Sequence, residues 1–261
     1  MRTVDKALKL LDYFNDRRSE IGLSELARLA EIDKATTHRM VTVLANHGFL
    51  EQHPDTRAYR LGAGILRLAR LREACFPVEV IVNPVLRRIA DQTGETAHIS
   101  LLAGRQLMTV GSAEPDRGNR VHIEPGLILP FHATASGIAF MAFAAPEFVD
   151  KILSRKLKAF TDATDCDPVS IRNRLSACRE TGFGISDEGF QTEICSTAAP
   201  LFDANGIANG AVTIATPTSR MNASARRSIA ESVIEASYEI SRGLGGEPSE
   251  MFKSVARKTA A

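Results

Sequence analysis

The feature that most constrains how this chain folds is the pattern of residues 23–60, which predicts two short helices followed by a hairpin. Apolar residues recur at positions 23, 26, 27 and 30, the spacing of one helical face. We expect Ser24 to cap this first helix and Asp33 to cap the second, because their side-chain oxygens can accept free backbone N–H groups. Gly48 ends the second helix, since glycine readily adopts the left-handed conformation.

The second predicted helix has an apolar face and, beside it, a polar edge. The apolar face comprises Thr37, Met40, Val41 and Leu44. The polar edge begins at Lys34 and continues through Thr36 and Arg39. Two short strands, at 49–51 and 59–61, are joined by residues that favour turns and predict a hairpin. This is the layout of a winged helix-turn-helix, whose second helix presents its N-terminal residues to base edges in the major groove of DNA.

Residues 1–62 are therefore predicted to bind double-stranded DNA. Arg57 and Arg60 on the hairpin are expected near phosphates, where they would add affinity without reading sequence. Residues 1–74 hold 13 Lys and Arg against 10 Asp and Glu, and the remainder holds 19 against 21, so the basic excess lies on this segment. Similar helix pairs occur in proteins that never touch DNA, but the hairpin and the basic edge favour DNA binding. The residues predicted to contact DNA are Ser24, Lys34, Ala35, Thr36, Arg39, Arg57, Tyr59 and Arg60.

Two further helices are predicted around this core. Residues 3–15 carry a helical stripe that should support the helix-turn-helix, made of Val4, Ala7, Leu8, Leu11 and Phe14. Residues 63–76 predict a connecting helix, whose Leu66, Leu68 and Leu71 are expected to pack against the first domain or against a partner subunit. The boundary is placed at Phe76-Pro77, because proline disfavours helix in the residue before it.

Residues 77–243 predict a second domain of the α+β class, in which helices flank a mostly antiparallel sheet. Strands are predicted at 96–102, 106–110, 120–123, 198–202 and 211–216. Helices are predicted at 78–92, around 136, at 147–156, at 168–181 and at 223–242. The tail at 244–261 is expected to be disordered, because Gly, Pro, Ser, Lys and Ala dominate it.

Composition limits the class of protein further. A length of 261 residues and a hydrophobic content of 44% suit a globular protein of two domains. The N-terminus lacks the pattern of a signal peptide, and no uncharged apolar stretch approaches ~18 residues, so a cytoplasmic protein without a membrane span is expected. The four cysteines, at positions 75, 166, 178 and 195, show no paired spacing and predict reduced thiols. No metal motif occurs, and no metal or cofactor is expected.

Three stretches of the second domain predict a ligand pocket. The first, residues 132–137, combines small residues with a helix N-terminus, which favours an anion. The second, residues 184–188, ends a predicted strand with an acidic pair that is either a ligand contact or a solvated turn. The third, residues 195–200, leads short polar side chains into a strand, with Thr213 on the next one. The predicted contacts are His132, Ala133, Thr134, Ser136, Gly137, Asp187, Ser196 and Thr213.

A catalytic interpretation of the same residues is weaker. His132, Ser136 and Asp187 supply the residue types of a hydrolase triad. However, the GxSxG pattern of a nucleophile elbow is absent around Ser136. His132 is more often a structural residue than a base in such a context. We therefore expect no catalytic residues and no enzyme.

Several segments, in the same order, resemble the IclR family of bacterial transcriptional regulators. They are the N-terminal winged helix, the connecting helix, LPFHATASGIAFMAF, GISDEGFQTEICSTAAPLFD and ATPTSR. The resemblance covers residues 4–242. It implies a winged helix-turn-helix domain, a connecting helix and a C-terminal GAF-like effector domain, assembled as a homodimer or a dimer of dimers on a partly palindromic operator.

The resemblance also implies a small organic acid as effector and catabolic genes as targets. Lys34, Thr36 and Arg39 match the start of the family's recognition helix, and Arg57, Tyr59 and Arg60 match its wing. Residues 132–137 match one wall of the family's pocket, and Asp187, Ser196 and Thr213 match or neighbour the other. Departures occur at Ala35, where the family usually has Ser, and at Ile138, Gly189 and Ser196, where it often has Lys, an acid and Cys.

Two alternatives remain open from the sequence. In one, the protein binds DNA but its GAF-like domain only dimerises, without a ligand. In the other, an enzyme such as a hydrolase carries a nucleic-acid module. Ligand binding and turnover of a candidate acid or ester distinguish the three.

Overall fold

The computed structural model describes residues 2–15, 18–75, 78–124 and 126–259, with the side chains of Arg2 and of 256–259 left aside. The chain divides into two compact units, Met1–Pro77 and Val78–Ala261, and each is described by itself. The predicted boundary at Phe76-Pro77 lies outside the described residues. The winged unit, Met1–Pro77, and the effector unit, Val78–Ala261, are the names used below.

The winged unit consists of four helices and a two-stranded hairpin. The helices are α1 (Arg2–Lys9), α2 (Leu23–Ala30), α3 (Lys34–Asn46) and α4 (Ala63–Cys75), and a short 3₁₀ helix (Leu10–Tyr13) follows α1. The strands β1 (Leu50–Gln52) and β2 (Tyr59–Leu61) pair antiparallel, with Leu50 opposite Leu61. The predicted helix pair and hairpin are confirmed, and the left-handed Gly48, with φ of 74°, follows the end of α3.

One apolar cluster holds the winged unit together. It contains Leu10, Phe14, Ile21, Leu26, Met40, Val41, Leu44, Leu50 and Tyr59. The supporting stripe predicted for 3–15 is partly wrong, because Val4 and Leu8 are 64% and 53% exposed while Leu10 is fully buried. The chain tightens into the 3₁₀ helix at Leu10, which changes the helical phase of every later residue.

Two local predictions for this unit need correction. Ser24 does not cap α2, because the helix begins one residue earlier and Gly22 occupies the capping position. Of the two alternatives predicted for the leucines of α4, packing against the first domain is wrong, because Leu66, Leu68 and Leu71 are 52%, 40% and 56% exposed. Packing against a partner subunit stays a prediction. Among the described residues α4 has no buried side chain, so its apolar side chains stay at least partly exposed to solvent.

The effector unit is built on a six-stranded antiparallel sheet. Its strands are β3 (Thr96–Ala103), β4 (Gln106–Ala113), β5 (Ile128–Leu129), β6 (Gly184–Asp187), β7 (Ile194–Phe202) and β8 (Ala208–Pro217), in the spatial order β5-β4-β3-β8-β7-β6. Its helices are α5 (Val78–Thr93), α6 (Ala135–Phe143), α7 (Pro146–Leu153), α8 (Pro168–Thr181), α9 (Ala223–Gly243) and α10 (Glu250–Thr259). The α+β class is confirmed.

The two faces of the sheet are covered differently, because successive side chains of a strand point to opposite sides. One face packs on α5 and α9 through residues such as Ile99, Leu201 and Ile214. The other face packs on α6, α7 and α8 through residues such as Leu107 and Ala198. We call the second one the inner face. The even-numbered side chains of β3 point to the inner face, and those at positions 96, 98 and 100 are polar.

Two predictions for the effector unit are wrong. Residues 120–123 form no strand; Val121 and Ile123 instead pack on Ala215, and β5 occupies the edge of the sheet by pairing with β4. The tail is not disordered at 250–259, because α10 buries Phe252 completely. The Phe252 ring contacts Phe143, Phe202 and Tyr238, and this burial outweighs the polar composition of the tail.

Two further observations concern the described part of the chain. No helix there combines the length and the apolar character needed to cross a membrane. All four cysteines are free. Burial raises the pKa of the Cys178 thiol to about 12, so that thiol stays protonated at neutral pH.

Candidate functional site

The start of α3 is fixed by a side-chain cap. The Asp33 carboxylate accepts a hydrogen bond from the Thr36 backbone N–H at 2.8 Å, as predicted from the sequence. That N–H holds the pKa of Asp33 below its usual value, because it stabilises the charged form. The Thr37 hydroxyl donates to the Asp33 carbonyl at 3.0 Å and turns inward. The first turn of α3 therefore presents a defined set of side chains outward.

We call Lys34, Ala35, Thr36 and Arg39 the reading edge. Lys34, Ala35 and Arg39 are exposed and Thr36 is half-buried. Arg39 donates from Nη2 to the Thr36 hydroxyl at 3.0 Å, which limits the freedom of the guanidinium before any partner binds. The apolar face of α3 is buried in the core of the winged unit. The helix therefore cannot rotate about its axis, and the reading edge stays on the outside.

The hairpin presents two arginines of different character. Arg57 is exposed, adopts a left-handed φ of 59°, and accepts a hydrogen bond at its carbonyl from Gln52. Arg60 is also exposed, but its guanidinium lies 3.4 Å from Glu51 and 4.0 Å from Glu20. Its charge is therefore partly balanced, which makes Arg57 the stronger candidate for a phosphate contact.

The structure departs from the DNA-contact prediction at Tyr59. This residue is only 5% exposed and belongs to the core of the winged unit. Its backbone pairs with Ile21, with N–O distances of 2.9 and 2.8 Å, so β2 turns the ring inward. Ser24 is exposed at the second residue of α2, where its hydroxyl remains available to a phosphate.

A cavity of about 60 Å³ lies on the inner face of the effector unit. Apolar residues form one part of its wall: Val121, Ile123, Leu127, Leu129, Phe190, Ile194 and Ala215. Polar residues form the rest: His98, His122, Thr134, Ser136, Ser186, Gln191, Ser196 and Thr213. The cavity therefore suits a small ligand with an apolar body and a polar head.

Four of the predicted ligand contacts come together in this wall. They are Thr134, Ser136, Ser196 and Thr213. Ser136 and Thr213 lie 77 positions apart in the chain, and their hydroxyl oxygens are 2.8 Å from each other. The Thr134 hydroxyl is already committed, since it caps α6 by accepting from Gly137 N at 3.0 Å and donates to the Pro130 carbonyl.

The other four predicted contacts lie outside the wall of the cavity. His132 Nε2 lies 2.9 Å from the Lys158 carbonyl oxygen, and the Ala133 carbonyl accepts from Ser186. Gly137 packs against backbone, because a Cβ there would lie 2.1 Å from the Phe131 oxygen. Asp187 alternates with Ser186 along β6, so it points to the opposite face of the sheet and pairs with Arg226 at 2.7 Å.

Sequence reasoning missed His98, a polar residue of the cavity wall. It is 4% exposed, and neither ring nitrogen has a hydrogen-bond partner among the described residues. Burial lowers the pKa of His98 to about 4, so the ring is neutral at physiological pH. A signal was present, since Thr96, His98 and Ser100 place polar groups at every second position of an otherwise apolar strand.

The residue types of a hydrolase triad are present but are not assembled. His132 is bound to the Lys158 carbonyl, Ser136 to Thr213, and Asp187 to Arg226. In the part of the chain that the structure describes, His, Cys, Asp and Glu form no cluster of three able to hold a metal ion. The three triad candidates of the described chain therefore do not form a catalytic site, whereas the inner face offers a binding cavity.

Comparisons with known proteins agree with this organisation. The family model described as IclR helix-turn-helix domain matches residues 3–54, and the one described as bacterial transcriptional regulator IclR C-terminal matches residues 76–242. The HTH-type transcriptional regulator BhcR of Paracoccus denitrificans is 30% identical, over 94% of this chain and 88% of that protein. The crystal structure of an IclR transcriptional regulator from Silicibacter sp. TM1040 is 42% identical, with a TM-score of 0.89, and covers 96% of this chain and 99% of that one.

A third similar structure contains a ligand. It is an IclR homologue from Microbacterium hydrocarbonoxydans in complex with 4-hydroxybenzoate. Its TM-score is 0.77 with 22% identity, and the match covers 93% of this chain and 99% of that one. At this identity the comparison shows a shared fold.

A winged helix-turn-helix with an exposed reading edge, in one chain with a sheet that encloses a small cavity, defines a DNA-binding regulator with an effector domain. The chain belongs to the IclR family of bacterial transcriptional regulators, as its sequence resemblance predicted. Such regulators bind operator DNA through the helix-turn-helix and a small-molecule effector through the C-terminal domain. The relatives named above are regulators and not enzymes.

Proposed function

We propose that this protein binds a partly palindromic operator through its reading edge and wing, and senses a small organic acid in the inner-face cavity to control catabolic genes. The observation that carries the proposal is the division of labour between the units. One unit exposes a preorganised Arg39, and the other encloses a cavity in whose wall His98 has no hydrogen-bond partner among the described residues. As a regulator of chromosomal genes, it would act in the cytoplasm.

The DNA contacts fall into two kinds. Arg39 and Lys34 at the start of α3 are suited to base edges, since arginine and lysine pair well with guanine in the major groove. Arg57, Arg60 and Ser24 are suited to phosphates, which position the protein without reading sequence. Tyr59 is removed from the contact set because it is buried.

We propose that the protein acts as a homodimer or a dimer of dimers. A palindromic site requires two recognition helices about 34 Å apart, one for each successive major groove. Leu66, Leu68 and Leu71 on α4 are exposed and alternate with Arg67, Arg70 and Arg72, a surface that a second copy of α4 would cover. Sedimentation of the full chain tests this assembly.

The effector is proposed to be a small organic acid with an apolar body. The 4-hydroxybenzoate bound to the Microbacterium homologue has this character. Ser136, Ser196 and Thr213 would orient the head of the ligand, with the start of α6 favouring negative charge. Because the Gly137 N–H is occupied by Thr134, the amides of positions 135 and 136 are the candidates at that helix end.

Switching requires that the effector bind the DNA-bound and the free arrangements with different affinity. We propose that the ligand acts through the connecting helix α4 on the spacing of the two recognition helices. The resulting change in operator affinity is limited by that difference in ligand affinity.

The proposal is tested by a thermal-shift screen of the full chain against small organic acids, followed by operator binding with and without each stabilising acid. The operator is obtained by selection from random DNA. An acid that raises the melting temperature and changes operator affinity supports the proposal. A screen in which no acid raises the melting temperature, with operator binding intact, would favour a domain that only dimerises.

A further inference from the structure

The strongest unexplained feature of the effector unit is the isolation of His98. Its side chain lies in the cavity wall, is 4% exposed, and leaves both ring nitrogens without a partner among the described residues. A buried polar group without a partner loses its hydration without compensation, which destabilises the fold. A residue kept at this cost, and facing a cavity, is placed to bind something that enters it.

A second feature lies beside it. Thr213 is the cross-strand neighbour of His98 on β8, so the two side chains stand on the same face about 5 Å apart. The hydroxyls of Thr213 and Ser136 share one hydrogen bond. Two hydroxyls carry two hydrogens, so one O–H of this pair is left to donate elsewhere. His98, Thr213 and Ser136 thus form one polar cluster, with an unused hydroxyl hydrogen, on the floor of the cavity.

The third feature is the balance of charge around the cavity. None of its described lining residues is Lys, Arg, Asp or Glu. The other lining histidine, His122, is exposed, and its Nδ1 lies 2.6 Å from Glu114, which already balances any charge on that ring. Ser112, Thr213 and Ser136 face His98 from β4, β8 and α6, and none of them titrates near neutral pH. His98 is therefore the lining residue whose positive charge, once it is protonated, can balance the negative charge of a ligand.

We propose that His98 is the specificity-determining contact for a small monocarboxylate effector, and that it takes up one proton from solvent when the carboxylate binds. The inference rests on the function proposed above and adds the ligand's charge and its coupling to pH. The proton moves from water to a ring nitrogen of His98, and no covalent bond of the ligand changes. The resulting imidazolium and carboxylate form a charge-assisted pair inside the cavity.

The direction of the pH dependence follows from the free protein. Without ligand, burial holds the pKa of His98 at about 4, so the ring is neutral at pH 7. A carboxylate at hydrogen-bond distance raises this pKa, because an opposite charge favours the protonated ring. Between the two pKa values, binding consumes one proton, so affinity falls about tenfold for each pH unit of increase. Acidification strengthens binding in the same window.

The test is calorimetric titration of the full chain with benzoate, 4-hydroxybenzoate and propanoate, each beside its uncharged amide. Measurements at pH 7 in two buffers of different ionisation enthalpy count the protons taken up. We expect about one proton for each bound carboxylate. The variant His98→Gln keeps a polar side chain that cannot be protonated, and should lose both the proton uptake and the pH dependence. The control His47→Gln, at an exposed position of the winged unit and outside the cavity wall, should retain both.

Imidazole NMR of the wild-type chain provides a reading that does not depend on a variant folding. At pH 7 the His98 signals should move from the neutral to the protonated position when a carboxylate is added. Carboxylate binding without proton uptake, or with uptake retained in His98→Gln, would overturn the inference. Binding only of the amides, or of no probe, would overturn it too; operator binding measured on the same samples shows whether the regulator function survives.

Discussion

The reading edge and the cavity of this protein differ in how their residues are brought together. The reading edge occupies residues 34–39 on a single helix, and its geometry depends on one cap within that stretch. The cavity draws on residues from 98 to 215, which lie on strands, a helix start and loops of the effector unit. Local sequence is therefore sufficient to specify the first, whereas the second exists only once the sheet has its register.

The two regions also differ in what happens to their polar groups. Lys34 and Arg39 stay in water until a partner arrives, so an imperfect arrangement costs little free energy. His98 and Thr213 are buried, so each unmet hydrogen bond counts against folding. A substitution in the cavity region should therefore disturb folding, whereas one at the reading edge should disturb binding.

The largest expected effect comes from Gly137→Ala. The added Cβ would lie 2.1 Å from the Phe131 carbonyl oxygen, so α6 must shift and with it the cavity wall. We expect the free energy of unfolding of the effector unit to fall by about 3 kcal/mol, the upper range for overpacking. Hydrogen exchange read by mass spectrometry should show lost protection in the effector unit and unchanged protection in the winged unit.

Gly118→Ala is the matched control in the same unit, because a Cβ at that position meets no atom within 4 Å. It should leave exchange unchanged throughout. Equal protection from exchange in Gly137→Ala and the native chain would show that the start of α6 is not packed against Phe131 as tightly as the 2.1 Å distance indicates.

The next largest effect is expected from Arg39→Ala at the reading edge. Loss of one good base contact costs about 1–3 kcal/mol, or roughly 5- to 150-fold in operator affinity, while random DNA is affected less. Arg57→Ala should weaken both kinds of DNA alike and reduce the slope of log affinity against log salt by about one. Fluorescence anisotropy across a salt series measures both; equal losses on the two DNAs for Arg39→Ala would remove it from the sequence-reading set.

How much of each region the sequence predicts follows the same division. The helix pair, the Asp33 cap, the hairpin and most strands of the sheet are set by short-range patterns and were predicted correctly. The prediction of a disordered tail is wrong because Phe252 finds its partners far back in the chain, with Phe202 50 positions and Phe143 109 positions before it. Composition cannot report a contact of that range.

The cavity shows the limit more sharply. Ser136 and Thr213 are predicted from the sequence, whereas His98 is not. The polar residues at 96, 98 and 100 mark one side of β3, but only the pairing with β8 shows that His98 stands beside Thr213. Asp187 is predicted to contact the ligand because it belongs to an acidic pair at the end of a predicted strand, whereas the alternation of β6 gives the cavity Ser186 instead. A shift of one residue decides which side of the sheet a side chain occupies.

A smaller effect should follow from Asp33→Ala, which tests how local the reading edge is. Loss of the cap should lower the melting temperature of the winged unit by a few degrees, while Asp33→Asn, which can still accept the Thr36 N–H, should lower it less. The pKa of Asp33 is depressed by folding, so its contribution is present above the unfolded pKa and is lost as pH falls through the folded one. Asp33→Asn should not show this loss of stability in thermal melts between pH 5 and pH 2. If the melting temperatures of the native chain and of Asp33→Asn fell identically with pH, the result would contradict the cap.

The smallest effect is expected where sequence and structure disagree, at Asp187. Its carboxylate pairs with Arg226 on the sheet face away from the cavity, and its side chain is 52% exposed. Exposed pairs of this kind contribute about 0.2–1 kcal/mol, so Asp187→Ala should cost little stability. Affinity for any acid that binds the cavity should stay within about twofold of the native value.

Ser136→Ala removes a hydroxyl from the cavity floor and leaves Thr213 without its hydrogen-bond partner. It should weaken the binding of the same acid by about tenfold, a loss near 1.4 kcal/mol. Titration calorimetry with one acid on both variants decides which face of the sheet binds the ligand. A large loss of affinity in Asp187→Ala with none in Ser136→Ala would mean that the ligand binds on the α9 side of the sheet and not in the cavity.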